Sequence, residues 1–309
     1  MRPHDRVAPV TGGAGGIGRA TTQARVLKVV FAVLVGAAVC AGAALVWGAV
    51  RWGGETRALT ERLDAARTPP TPARYDAREL DGLPAPVQRY FRTALTDGQP
   101  VILGVRMVQA GMFNVGEDAQ AWRPFTATQR VGTRRPGFVW DARVEVMPAT
   151  TVNVHDAYVA GEGLLQAAIF GLVDVASVRG TPAAARAEFM RFFAECVWYP
   201  TALLPSQGVR WEAVDDRSAR ATLADGGVEL ALLFRFDERG LVESVRADAR
   251  ERSVGGALVA TPWEARVWDY ETRDGMTVPM QGEVAWRPGG VAKPYWRGRI
   301  TRLEYEFAR

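Results

Sequence analysis

Residues 138–146 read Phe138-Val139-Trp140-Asp141-Ala142-Arg143-Val144-Glu145-Val146. The even positions are apolar, and Asp141, Arg143 and Glu145 face the other way. A period of two sends alternate side chains to opposite faces, so this stretch predicts a strand with one buried and one wetter face. The pattern recurs outward along the chain. Residues 228–236 alternate, as do Met276, Val278, Met280, Val284 and Trp286 against Thr277, Gln281 and Glu283. Leu303, Tyr305 and Phe307 alternate with Arg302, Glu304 and Glu306. Turn signals lie between them: Asp225-Gly226-Gly227, Asp237-Glu238-Arg239-Gly240, Asp274-Gly275 and Pro288-Gly289-Gly290. About ten antiparallel strands are expected between residues 101 and 309.

Two helices belong with them. Val87, Tyr90, Phe91, Ala94 and Leu95 form one apolar stripe after Pro84 and Pro86. Thr181 caps a second helix with Pro182 in its first turn, and Ala185, Phe189, Phe192, Phe193 and Cys196 form its stripe. Arg191 and Glu195 make an i, i+4 pair on the opposite side, and Pro200 ends the helix. The expected class is α+β: a large, mostly antiparallel, curved half-barrel-like sheet with one or two packed helices over residues 76–309.

Ahead of that domain, residues 29–50 are 22 consecutive uncharged residues, flanked by Lys28 and Arg51. As a helix they span about 33 Å, enough for the hydrocarbon core of a bilayer. The run is long and late for a cleaved signal peptide, so a signal anchor with one span is expected. Counting flanking bases places the N-terminus inside and the large domain outside the cytoplasm, at a bacterial inner membrane. Residues 1–28 form a basic, glycine-rich leader. Residues 51–75 read as a juxtamembrane helix and a linker broken by Pro69, Pro70 and Pro72.

The leader carries Thr11-Gly12-Gly13-Ala14-Gly15-Gly16-Ile17-Gly18, which resembles the cofactor loop of short-chain dehydrogenases. That loop needs a second strand ending in a ribose-reading residue about 20 positions on. Here those positions fall inside the apolar run. The only lysine beyond Lys28 is Lys293, and no Tyr-x-x-x-Lys precedes it. No cofactor is expected, and a nicotinamide-dependent oxidoreductase is the least favoured reading.

The net charge of +4 comes from the first 50 residues; beyond them, bases and acids balance at 33 each. Nucleic-acid binding needs clustered positive charge, which the domain lacks. With two histidines and two cysteines, a His-rich metal site and a disulfide framework are excluded. His155 reads as a hydrogen-bonded or surface strand residue, Cys196 as a buried thiol, and the acidic pairs Asp215-Asp216 and Asp237-Glu238 as turn residues. No catalytic or metal site is expected.

Four segments carry a resemblance over about residues 80–309. They are Leu83-Pro84-Ala85-Pro86-Val87-Gln88-Arg89-Tyr90-Phe91, Trp198-Tyr199-Pro200-Thr201-Ala202-Leu203-Leu204-Pro205-Ser206, Gly282-Glu283-Val284-Ala285-Trp286 and Pro294-Tyr295-Trp296-Arg297-Gly298. Together they resemble an uncharacterised bacterial family of membrane-anchored β-rich proteins, which brings no established activity. More loosely, the order of strands, helix and strands resembles the half-barrels that carry lipoproteins or lipids across the periplasm.

A curved sheet rich in Trp and Phe suits an apolar ligand held with a few polar groups at the mouth. Trp198, Tyr199, Ser206, Tyr295 and Arg297 are the candidate ligand-binding residues. The expected function is a membrane-anchored envelope protein binding a lipid or other apolar ligand. The alternative is a structural or protein-interaction domain whose core is full.

Overall fold

The computed structural model describes residues 16–116, 120–254 and 257–308. The chain divides into two compact units, Met1–Gly48 and Ala49–Arg309. In the first, the described residues belong to helix α1, Gly16–Ala66, which is long and apolar enough to cross a membrane. Val29, Phe31, Leu34 and Val46 are exposed along it, as lipid-facing side chains would be. His4 and residues 11–15 of the glycine-rich leader lie outside the described residues.

The second unit is built on one antiparallel sheet of thirteen strands. After helix α2 (Ala85–Ala94), a first meander runs through β1 (Ile102–Asn114), β2 (Trp122–Gly132), β3 (Gly137–Met147), β4 (Thr150–Val159), β5 (Glu162–Ile169) and β6 (Val173–Arg179). Helix α3 (Pro182–Glu195) follows. The second meander is β7 (Arg210–Asp215), β8 (Ser218–Asp225), β9 (Val228–Phe236), β10 (Val242–Val254), β11 (Ala257–Arg273), β12 (Met276–Trp286) and β13 (Lys293–Phe307). The first strand pairs with the last, Met107 opposite Leu303, so the two meanders fuse and β6 and β7 are the free edges. The α+β class and the curved sheet are as expected. Thirteen strands stand against about ten expected, and β6, exposed along its whole length, is one that burial leaves unmarked in the sequence.

The sheet curls until its halves meet. Tyr158 on β4 donates a hydrogen bond to Asp225 at the end of β8, 2.8 Å away. Nearby, the turn at Gly161 touches the turn at Gly226, where φ is +57° and a Cβ would stand 3.3 Å from the Gly161 Cα. Helix α3 lies in the concavity and contacts β3, β4 and β5 on one side and β9 and β10 on the other. Its approach to β5 requires glycine: a Cβ on Gly163 would lie 2.3 Å from the Ala184 carbonyl.

Phe189, Phe192 and Phe193 of α3 are fully buried, with Phe138, Tyr158 and Phe234 of the sheet around them. Three short 3-10 turns follow, Cys196–Trp198, Pro200–Leu203 and Pro205–Gln207. Prolines at the start of the last two fix the backbone and bring Leu203 and Leu204 into the core. The segment is tied across the sheet by three hydrogen bonds. Thr201 Oγ1 accepts from the Ile102 amide, the Trp198 carbonyl accepts from Tyr305, and the Leu203 carbonyl accepts from Trp211 Nε1.

The last turns of α1, from Ala49 onward, pack on the convex face of β2–β5. Leu63 joins Val139, Ala157, Val159 and Leu164 in a second small core. Arg130 clamps Asp64 at 2.9 Å. Residues 51–66, within the stretch read above as a juxtamembrane helix and linker, are helical and form a covering layer of the same compact unit.

Candidate ligand-binding site

A layer of polar side chains crosses the concave interior beside α3. Period-two alternation delivers Gln109, Gln129 and Asp156 inward from β1, β2 and β4, and the helical period delivers Glu188, Arg191 and Glu195 from α3. All six are shielded from solvent. Arg191 pairs with Asp156 and, at 2.8 Å, with Glu195. Its guanidinium also lies 4.8 Å from the ring centres of both Phe138 and Trp140. Glu195 accepts from Gln129, Gln129 accepts from Gln109, and Gln109 accepts from Trp140 Nε1. The i, i+4 pair of Arg191 and Glu195 exists as read from the sequence, but it is buried, because the curled sheet covers α3 on both sides.

The layer continues onto the second meander. Arg250 Nη2 stands 3.6 Å from Glu188, too long for a hydrogen bond, and its guanidinium lies 5.4 Å and 5.8 Å from the rings of Trp263 and Trp286. Tyr295 Oη accepts from Trp263 Nε1 at 2.9 Å and from Arg250 Nη1 at 3.2 Å. Its ring stacks on Trp286 and meets Phe113 edge-on. Tyr295, Trp286 and Phe113 are each half-buried, so this end of the layer reaches the rim of the concavity.

Burial, with the neighbouring Asp156 carboxylate, pushes Glu188 well above the ordinary carboxyl range, and Arg250 and Arg191 only partly offset this. This favours the protonated form of Glu188. Two buried acceptors, Asp156 Oδ1 and Glu188 Oε2, lack partners when both groups are drawn as carboxylates. A proton on Glu188 that it donates to Asp156 satisfies both. Burial works against the charge on Arg191 and on Arg250, but nearby acceptors (Glu195 and Asp156 for Arg191, Tyr295 and Glu188 for Arg250) hold both cationic. Two cations thus face two carboxylates and one shared proton. Arg250 Nε and Trp198 Nε1 remain buried without a partner.

The five residues singled out from the sequence do not converge on one point. Tyr295 belongs to the polar layer. Trp198 and Tyr199 are buried beside it in the apolar core; Tyr199 donates to the Phe192 carbonyl, and the Trp198 ring centre is 6.5 Å from that of Trp296. Ser206 sits in the last 3-10 turn, its amide bound to Glu79. Arg297 is on the convex face, paired with Glu283 at 2.6 Å and lying over the Trp122 ring. Sequence reading missed Glu188, Arg250 and Asp156. The one signal was the placement of Glu188 directly beside Phe189, within the buried stretch of α3.

Three clefts of about 620, 400 and 240 Å3 are open to the surface, and charged side chains line each. Of the polar layer, Gln129 reaches the second of these clefts, and none of them is lined by Glu188, Arg191, Arg250 or Tyr295.

No curated protein matches the chain. Among solved structures it is similar to a LolA superfamily protein from Nitrosomonas europaea, with 11% identity, coverage of 72% of this chain and 92% of that one, and a TM-score of 0.31. It is also similar to a β-barrel-like protein of the domain of unknown function DUF1849 from Brucella abortus, with 12% identity, coverage of 67% and 99%, and a TM-score of 0.18. A family model matches residues 81–305, which include all four segments of the resemblance seen in the sequence. The chain therefore belongs to DUF6920, a family of unknown function.

Proposed function

We propose that the protein is a membrane-tethered envelope domain, facing away from the cytoplasm, that holds an amphiphilic ligand at the rim of its half-barrel. The observation that carries this reading is Arg250. Its buried guanidinium has an unpartnered Nε and lies over the neighbouring rings of Trp263 and Trp286, beside half-buried Tyr295. A polar or anionic head would bind Arg250 and Tyr295, and the apolar part would lie against Trp286 and Phe113. Trp198, whose Nε1 is also free, would form the inner wall. Ser206 and Arg297 lie outside this arrangement.

A second reading, a structural or protein-interaction domain, is favoured by one observation: Leu203, Leu204 and the phenylalanines of α3 already fill the depth of the concavity. Titration with a fluorescent fatty acid, cis-parinaric acid, separates the two. Saturable binding to the full chain, lost in Arg250→Gln and kept in Arg297→Gln, supports the amphiphile site. No binding, or equal binding in both variants, supports the filled core.

A further inference from the structure

The largest of the three clefts, about 620 Å3, lies apart from the polar layer, between the strands β9 to β12. Arg266 and Glu283 lie opposite each other across β11 and β12, between Ala265 and Val284 on the neighbouring rung, which pack against the core. The cleft thus opens on the convex side. Its volume is within the roughly 300–1,000 Å3 of small-molecule sites.

Three features define its chemistry. Trp268 lines the cleft and is 43% exposed, a flat apolar surface left uncovered in a polar setting. Three arginines and four carboxylates line it, so donors and acceptors alternate with almost no net charge. Arg266 is only loosely engaged, 3.9 Å from Glu243 and outside hydrogen-bonding distance, and Arg217, whose Nε donates to the Phe236 carbonyl, keeps its Nη2 at the same 3.9 Å from Glu243. Finally, the pairing of β11 with β12 skips Asp269. Trp268 pairs with Gln281 and Tyr270 with Pro279, while Asp269 takes a φ of +61°. A non-glycine residue in that conformation within a strand is strained, and it sits directly between the two aromatic residues of the cleft. Gln281 fixes it by donating to its carboxylate at 2.8 Å.

A balanced charge set selects neither a polyanion nor a metal ion, and the charged groups that surround Val242, Val267, Trp268 and Tyr270 disfavour a lipid chain. Guanidinium and carboxylate groups together match the paired donors and acceptors of vicinal hydroxyls, and an exposed indole matches the C–H face of a pyranose ring. We propose that this cleft is a binding site for a neutral oligosaccharide, with Trp268 as the stacking platform and Arg217, Arg266, Glu243 and Glu283 as hydroxyl partners. The site is independent of the amphiphile reading.

Isothermal titration of the full chain tests it, in lauryldimethylamine oxide so that no detergent sugar competes. The probes are cellotriose, maltotriose and triacetylchitotriose. At least one is expected to bind saturably. Trp268→Ala should weaken it about tenfold, the scale of a lost aromatic contact. Arg266→Ala should also weaken it, and Trp122→Ala, a tryptophan outside the cleft, should not. Should Trp268→Ala fail to fold, Arg266→Ala against Trp122→Ala decides. Saturation by none of the three sugars, or unchanged affinity in both folded cleft variants, overturns the proposal.

Discussion

The indole of Trp52 lies flat on the imidazole of His155, with ring centres 3.8 Å apart and planes 9° from parallel. This stack joins the last turns of α1 to β4. One arrangement of protons satisfies the group around it. Trp52 Nε1 donates to Asp141 Oδ1, the Thr56 hydroxyl donates to Asp141 Oδ2, and His155 Nε2–H donates to Thr56 Oγ1 at 2.7 Å. His155 Nδ1 is then bare, buried and without a partner. A second proton there would have no acceptor.

Acid is therefore expected to loosen this contact. Burial lowers the His155 pKa from its ordinary 6.5; Asp141 and Glu55 act against the shift, and Arg179 with it. With the folded value below the unfolded one, the unfolded chain binds the extra proton first. The stability that neutral His155 contributes is present above 6.5 and is lost as pH falls toward the folded value. Hydrogen exchange of the full chain from about pH 8 to about pH 5 should show residues 52–63 losing protection in acid. In His155→Gln this loss should be much smaller.

Glu188 has the opposite sign. Its folded pKa lies above the ordinary 4.5, raised by burial and by Asp156. Its contribution is complete below 4.5 and declines as pH rises through the folded value. Glu188→Gln keeps a donor for Asp156 and cannot ionise. Denaturant melts should find the variant gaining stability relative to wild type as pH rises, and an unchanged difference across pH would show that Glu188 is ionised in the fold.

The segment after α3 acts as a wall of the core. Trp198→Ala should cost about 3–5 kcal/mol, the range for truncating a buried aromatic. Thr201→Val keeps the volume but removes the oxygen that accepts the Ile102 amide, which should cost about 1–3 kcal/mol. Both are read by denaturant melts. Little change in either would place the segment outside the cooperative core.

Membrane attachment through α1 predicts that carbonate washing leaves the chain in the membrane fraction. A reporter fused after Arg309 should be active in its extracytoplasmic form. Activity only in the cytoplasmic form would reverse the proposed topology.

What was legible in the sequence follows burial. Strand β3 could be read because Phe138, Trp140, Ala142 and Val144 are buried on one face. Strand β6 could not, because Val173, Val175 and Val178 are all exposed at the sheet edge. Trp52 and Leu63 stand eleven residues apart among mixed charges, so nothing local showed that Trp52 stacks on His155 or that Leu63 joins a second small core. The polar layer was hidden for a related reason. Arg191 and Glu195 occupy what is normally the solvent side of a helix, and only the closure of the sheet across Tyr158 and Asp225 buries that side. Arg250 comes from β10, nearly sixty residues along the chain from Arg191, and their shared layer depends on that closure.

The central claim is that Arg250 and Tyr295 hold the head of an amphiphile. Native mass spectrometry of the full chain, released gently from detergent, tests it most directly. The account predicts a bound amphiphile of defined mass on the wild-type protein, and its loss in Arg250→Gln. A wild-type spectrum showing only the bare chain, or the same adduct on both proteins, would contradict it.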